Sequence, residues 1–289
     1  MLFQQHSKRR IKEFEACLAL CERDKELMEG IRKSRQETRL WKNPTEDISV
    51  EGKSGNAKHD GTKGVVSVTR HSVLRDAREL VARYPECRVG VLNFAAPCHP
   101  GGSVIRGASG QENSLCRATT LYPCCVTEEM KRDYYDVHRQ CEDFMYSDVC
   151  AYIPDVICLS SQDGDLCASE ADGLFRVDVI CCSAPDVSRV FVHNSGKEEN
   201  IIDDMHIEDL EMILRRRVEG VLRVAVQHKI EVLVLGAFGC GGCGNSPQLV
   251  ATIFKKALEK YQGFFRTVTF SIYDAPYKGG VYDVFSSVL

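Results

Sequence analysis

Two glycine-rich segments carry the residue types through which this chain could do chemistry. The later one runs Gly236-Ala-Phe-Gly239-Cys240-Gly241-Gly242-Cys243-Gly244-Asn245-Ser246-Pro247. Glycine lets backbone N–H groups turn inward toward an anion, and proline suits the first turn of a following helix. A loop of this kind ahead of a helix start is a cradle for phosphate. It comes close to the GxxxxGK[ST] pattern over Gly239 to Gly244, but Asn245 stands where that pattern needs lysine. Without the ammonium that reaches the outer phosphates, a P-loop NTPase is disfavoured. Cys240 and Cys243 form a CxxC, yet structural zinc usually needs a second such pair or a spaced histidine pair, and the chain has neither. The reading therefore calls for no metal and no cofactor. Thiols in a loop with many N–H donors can ionise easily, so Cys240 and Cys243 are expected to be the most reactive cysteines.

The earlier segment spans Asn93 to Asn113 and contains Gly101, Gly102, Ser103 and Gln111-Glu112-Asn113. Asn93, at the end of an apolar strand, can bind a hydroxyl, and Glu112 is the carboxylate nearest the glycines. In open α/β sheets ligands bind in the crevice at the carboxyl ends of the strands, where both loops should lie. The two segments read as two walls of one cleft.

Positioning those loops requires a sheet, and the sequence supplies one. VVSVT (65–69), RVGVLNF (88–94), FRVDVICC (175–182), EVLVLGAF (231–238) and TVTFSIYD (267–274) are near-continuous apolar runs, the pattern of strands buried on both faces. Ser72 can cap a helix reaching about Arg83. Helical patterns over 203–228 and 247–261 separate the last three strands, which gives a parallel α/β sheet between helices. Residues 7–38 read as one helix with the stripe Ile11, Phe14, Leu18, Cys21, Met28 and Ile31. Its basic start (Lys8, Arg9, Arg10, Lys12) is followed by acidic residues and reads as an ordinary solvated face. Residues 42–64 are a polar loop. The division expected is a helical extension with linker at 1–64 and one α/β domain at 65–289.

Composition narrows the class further. The 289 residues are 44% hydrophobic and 27% charged with a formal net charge of −4, which excludes a collagen-like or globally disordered chain and a whole-surface nucleic-acid binder. No apolar run approaches the roughly 18 residues of a membrane span. The charged start lacks the apolar core of a secretory signal. Fifteen cysteines without such a signal point to a reduced protein of the cytoplasm or nucleus.

The segments VLNFAAPCHPGG, QENSLCRATTLYPC (111–124), YIPDV (152–156), FRVDVICCSAPD (175–186), VLGAFGCGGCGNSP (234–247) and FSIYD (270–274), taken in order, resemble the microbial-type poly(ADP-ribose) glycohydrolases, a branch of the macrodomain fold. The resemblance covers about 65–289 and, more loosely, the helical N-terminus. It implies a mixed, largely parallel sheet between helices and ADP-ribose in a crevice at the strand ends. Asn93 falls near the distal ribose. Gly101, Gly102 and Ser103 match a triple-glycine signature, Gln111 opens the next one, and Gly239, Cys240, Gly241, Gly242, Cys243, Gly244 and Asn245 match the diphosphate loop. Tyr273 becomes a wall for adenine.

Two departures bear on catalysis. The family signature continues Gln-Glu-Glu, and its second glutamate is the general acid for the departing ribose oxygen; Asn113 holds that position here. The diphosphate loop ordinarily carries a phenylalanine that positions the distal ribose, and Cys243 replaces it. An amide can donate a hydrogen bond but cannot deliver a proton as a carboxylic acid does. The resemblance thus implies either a hydrolase of glycosidic bonds to ADP-ribose, weak or altered in substrate, with Glu112 and Asn113 at its centre, or an inactive reader of ADP-ribose and ADP-ribosylated partners. Neither reading involves a membrane or sequence-specific nucleic-acid binding.

Overall fold

Apolar runs flanked by turn residues become strands of one sheet. In chain order these are β1 (Arg39–Trp41), β2 (Val65–Thr69), β3 (Val89–Phe94), β4 (Cys150–Cys158), β5 (Phe175–Cys182), β6 (Val232–Leu235) and β7 (Thr267–Ser271). The structure, a computed structural model, describes residues 2–50, 64–159, 173–189, 207–261, 263–273 and 280–289. Across the sheet the order is β1-β4-β5-β3-β6-β7-β2. The five strands from β5 to β2 are mutually parallel, while β4 runs against both β5 and β1.

The helices are α1 (Leu2–Arg23), α2 (Lys25–Glu37), α3 (Pro44–Asp47), α4 (Val73–Arg83) and α5 (Gln111–Ala118). Short turns follow as α6 (Leu121–Cys125), α7 (Glu128–Met130), a π-helical turn (Lys131–Tyr135) and α8 (Asp136–Arg139). The C-terminal half adds α9 (Ile207–Gln227), α10 (Pro247–Lys260) and α11 (Val281–Val288). As expected, Ser72 caps α4, its hydroxyl accepting from the Arg75 N–H. Ser246 caps α10 in the same way, with Pro247 in the first turn.

Side chains alternate across the pleat, so each strand feeds two cores. Val89, Val91, Val179 and Cys181 face a core shared with α1, α2, α4 and α5. Leu92, Ile180, Cys182, Leu233 and Phe270 face a second one closed by α9, α10 and α11. Phe14, Cys17 and Cys21 of α1 belong to the first core. Asn93, two residues beyond Val91, must point to the side on which α5 lies.

Four expectations are corrected. The helix drawn over 7–38 breaks at Asp24, whose carboxylate accepts from the N–H groups of Glu26 and Leu27 and starts α2 afresh. The restart shifts the stripe's phase, so Leu27 is buried and Met28 is exposed. Residues 42–64 are not wholly loop, since Pro44–Asp47 is helical; positions 51–63 lie outside the described residues. β4 is an additional central strand, disguised by Pro154-Asp155. There the register slips between Ile153 and Val156, and Asp155 takes φ 52°, a bulge that accommodates the proline. The last strand stops at Ser271, short of the expected 274, which also lies outside the described residues.

Candidate active site

The two glycine segments do leave the carboxyl ends of β3 and β6, which are neighbours in the sheet. After β3 the chain turns through Gly101 and Gly102, with φ 63° and 58°, left-handed values that favour glycine. A Cβ on Gly102 would lie 3.2 Å from Glu112 Oε2 and 3.4 Å from Asn113 Nδ2, so both side chains flank this one residue. Ser103 is exposed beside them.

α5 begins at the chemistry. Gln111 accepts from the Phe94 N–H at 3.0 Å and donates to the Leu92 carbonyl at 2.7 Å, fastening the helix start to the end of β3. Glu112 is buried; its Oε2 accepts from the Ala96 N–H at 2.9 Å and its Oε1 from Asn93 Nδ2 at 3.4 Å. Burial pushes its carboxyl up to about 8, against the pull of the Ala96, Asn93 and Gly101 hydrogen bonds. Glu112 is therefore largely protonated at neutral pH. Asn113 is also buried, and its amide is engaged at both ends. Oδ1 accepts from the Gly110 N–H at 3.0 Å, capping α5, and Nδ2 donates to the Gly101 carbonyl at 2.6 Å.

Asn93 has no exposure, and its Nδ2 donates to Glu112 and to Cys181 Sγ. Its Oδ1 is buried without a partner, as is Oδ1 of Asn245 on the other wall. Asn245 is held by its own Nδ2, which donates to the carbonyls of Pro185 and Gly239. Buried polar atoms are seldom orphaned. Two unmatched acceptors, one per wall, suit a ligand rich in hydroxyl donors.

In the second loop Gly239 and Gly244 take φ 70° and 74°. Gly239 packs against Asn245 and Ala184, whereas a Cβ on Gly241 or Gly242 would meet nothing within 4 Å. Those two positions face open space. Cys240 and Cys243 correct an expectation: burial pushes their thiols up, to about 12 and about 11 respectively. Desolvation outweighs the loop's N–H donors, so these thiols are poorly reactive near neutral pH. Tyr273 is 78% exposed just past the end of β7.

Residues passed over in the sequence build the surroundings. Arg217 of α9 is buried and donates to the Ser183 and Met145 carbonyls and to Asp148. Arg117 of α5, equally buried, reaches the Ala108 carbonyl and Glu13 of α1. Arg10 donates to the Gly107 carbonyl at 2.6 Å, so α1 braces the loop between the glycines and α5. Buried arginines leave no periodic signal, and only the fold brings their partners near. Among the described residues one group could hold a metal, His71, Asp76 and Glu79, with ligand atoms within 4.8 Å. The Asp76 carboxylate, however, already accepts from Thr69 and Ser271 and contacts His71.

This arrangement is of the macrodomain type: a glycine-rich loop and a loop with a carboxyl group, both at the ends of parallel strands. The chain belongs to the microbial-type poly(ADP-ribose) glycohydrolase (PARG) catalytic-domain family, whose profile matches residues 13–161. It is similar to the poly(ADP-ribose) glycohydrolase of Thermomonospora curvata bound to the inhibitor ADP-HPD. Identity there is 26% and the TM-score 0.79, over 97% of this chain and 99% of the other. It is also similar to the Deinococcus radiodurans enzyme in complex with ADP-ribose, at 30% identity and a TM-score of 0.74, over 90% of this chain and 97% of that one. No curated protein matches by sequence. No helix among the described residues is long and apolar enough to cross a membrane.

Proposed function

We propose that the chain binds ADP-ribose in the crevice between the two glycine loops and hydrolyses its polymer weakly or not at all. Asn93, Gly101, Gly102, Ser103 and Gln111 form or support one wall, Gly239 to Asn245 the other, and Tyr273 is an edge for the adenine. Residues 65–289 carry the site, with 1–64 as its helical extension. The ligand would arrive free or attached to ADP-ribosylated macromolecules of the cytoplasm or nucleus.

The observation that carries this reading is the state of Asn113. Its amide satisfies the Gly110 N–H and the Gly101 carbonyl, and it has no proton to give a departing ribose oxygen. The glycine frame for a diphosphate is intact beside it. Calorimetric titration with ADP-ribose, followed by product analysis on polymer and on mono-ADP-ribosylated substrates, tests the reading. Binding with little product supports it, and absence of binding overturns it.

One observation favours a second reading. Glu112, with its carboxyl pushed up to about 8, holds a proton at neutral pH and lies beside Asn93. In that case Glu112 is the acid of an active glycohydrolase, and Glu112→Gln abolishes turnover without abolishing binding.

A further inference from the structure

The segment Phe144-Met145-Tyr146 precedes β4 at the carboxyl end of β5, under visible constraint. Phe144 and Tyr146 take φ 56° and 61°. Aromatic residues rarely adopt this left-handed backbone, and it persists only where the surroundings impose it. Here they do so from both sides. Met145 is buried in the protein interior, and its carbonyl accepts from the buried Arg217. The Phe144 carbonyl accepts from the Asp186 N–H at 2.9 Å, and the Arg189 guanidinium lies 5.8 Å from the Phe144 ring. The turn at 186–189 is in turn fastened to the diphosphate loop. Ser188 donates its N–H to the Cys243 carbonyl at 3.1 Å and its hydroxyl to the Gly242 carbonyl at 2.9 Å.

With Met145 turned into the interior, Tyr146 is left half-buried at the crest of this strap, its ring edge-on to His138 at 5.9 Å. Its hydroxyl lies within electrostatic reach of Cys98, Cys243, Asp186 and Arg189. Cys98 is two residues past Ala96, whose N–H holds Glu112, and Cys243 closes the glycine loop. Tyr146 therefore stands close to both the loop after β3 and the glycine loop after β6. A ligand spanning those two places there the sugar that lies beyond its diphosphate.

We propose that Tyr146 is the specificity-determining wall for that outer ribose, its ring packing against the sugar so that ADP-ribose is held in preference to ADP. The proposal rests on the ADP-ribose reading above. Nothing covalent is involved; the ring excludes water and restricts the sugar's orientation.

The test compares two ligands on one set of variants by calorimetry. Tyr146→Asn removes the ring while keeping a residue tolerant of the left-handed backbone. It should weaken ADP-ribose roughly tenfold, in line with the loss of a well-packed aromatic contact, and shift ADP by less than about twofold. Tyr146→Phe retains the ring and should stay within about threefold of wild type for both ligands. Should Tyr146→Asn not fold, Tyr146→Leu, which keeps bulk without a ring face, reads the same comparison. Equal weakening of ADP and ADP-ribose, or unchanged ADP-ribose affinity, overturns the proposal. A wild type that binds ADP-ribose no better than ADP overturns it as well. A wild type that binds neither overturns instead the functional reading beneath it.

Discussion

Replacing Asn113 with glutamate asks whether the site lacks only its acid. At the third position of α5 a longer carboxyl side chain can still accept the Gly110 N–H that Asn113 Oδ1 now takes at 3.0 Å. Its second oxygen then faces the Gly101 carbonyl, which today receives a hydrogen bond from Nδ2 at 2.6 Å. Two oxygens at that distance repel unless a proton lies between them, so the introduced group is driven toward its neutral form. Burial pushes the same way, because position 113 is withdrawn from water as Glu112 is. A protonated carboxyl beside the ribose oxygen is what general acid catalysis needs, and such help is typically worth roughly 10²–10⁴-fold, or about 3–5 kcal/mol of barrier. Asn113→Glu should therefore raise release of ADP-ribose from purified polymer by at least about tenfold, with the calorimetric Kd for ADP-ribose little changed, since the acid acts mainly in the transition state. The rate should fall as pH rises through the pKa of the new carboxyl. Adding Cys243→Phe should increase the gain by fixing the outer ribose. A wild type that already cleaves polymer rapidly, and loses that activity in Glu112→Gln, refutes the reasoning and moves the acid to Glu112.

Glu112 also predicts a pH signature of stability. Its folded pKa, about 8, lies above the ordinary carboxyl value of 4.5, so the protonated folded state is favoured. That contribution is complete below about 4.5 and is lost as pH rises through about 8. The stability difference between wild type and Glu112→Gln, followed by chemical denaturation from pH 5 to 9, should shift against wild type across that window, and a pH-independent difference contradicts the buried acid. Gly241→Glu should weaken ADP-ribose more than about tenfold by blocking the approach of a diphosphate, while its melting point stays within a few degrees, because a Cβ there meets nothing. Gly239→Ala should instead lower the melting point, since its Cβ would sit 2.5 Å from Asn245 Nδ2 at φ 70°; a stable Gly239→Ala contradicts the packing described. Alkylation followed by mass spectrometry should find Cys240 and Cys243 slow at pH 7, accelerating only near their raised pKa values of about 12 and 11, and rapid labelling at neutral pH would show that desolvation does not dominate them.

Much of the scaffold was legible because parallel strands buried on both faces leave unbroken apolar runs, as β3, β5 and β6 do. β4 escaped because a proline at a bulge imitates a turn, and β1 because three residues are too few to show a period. The glycine loops were visible from composition, and the structure brings Asn93 against Glu112 as a cleft required. What no spacing rule conveys is desolvation. The same burial that holds a proton on Glu112 also holds one on the two loop cysteines, and both effects depend on neighbours distant in sequence. The Tyr146 strap was invisible for a similar reason, since its partners Arg217 and Asp186 arrive from two other parts of the chain.

The sheet's two edges have a further consequence, in the order in which the chain is made. Both outermost strands, β1 and β2, come from the first seventy residues, and β2 pairs with nothing among the described strands except β7. The Ser67–Thr269 contact joins residues 202 apart. At ribosomal speeds of about 5–20 residues per second, β2 waits roughly 10–40 s for β7. During that interval a β-branched segment stands without its neighbour strand, and after folding Val65, on the outermost of the described strands, is 64% exposed. Long-range pairing of this kind slows folding, and misassembly during synthesis should begin at β2.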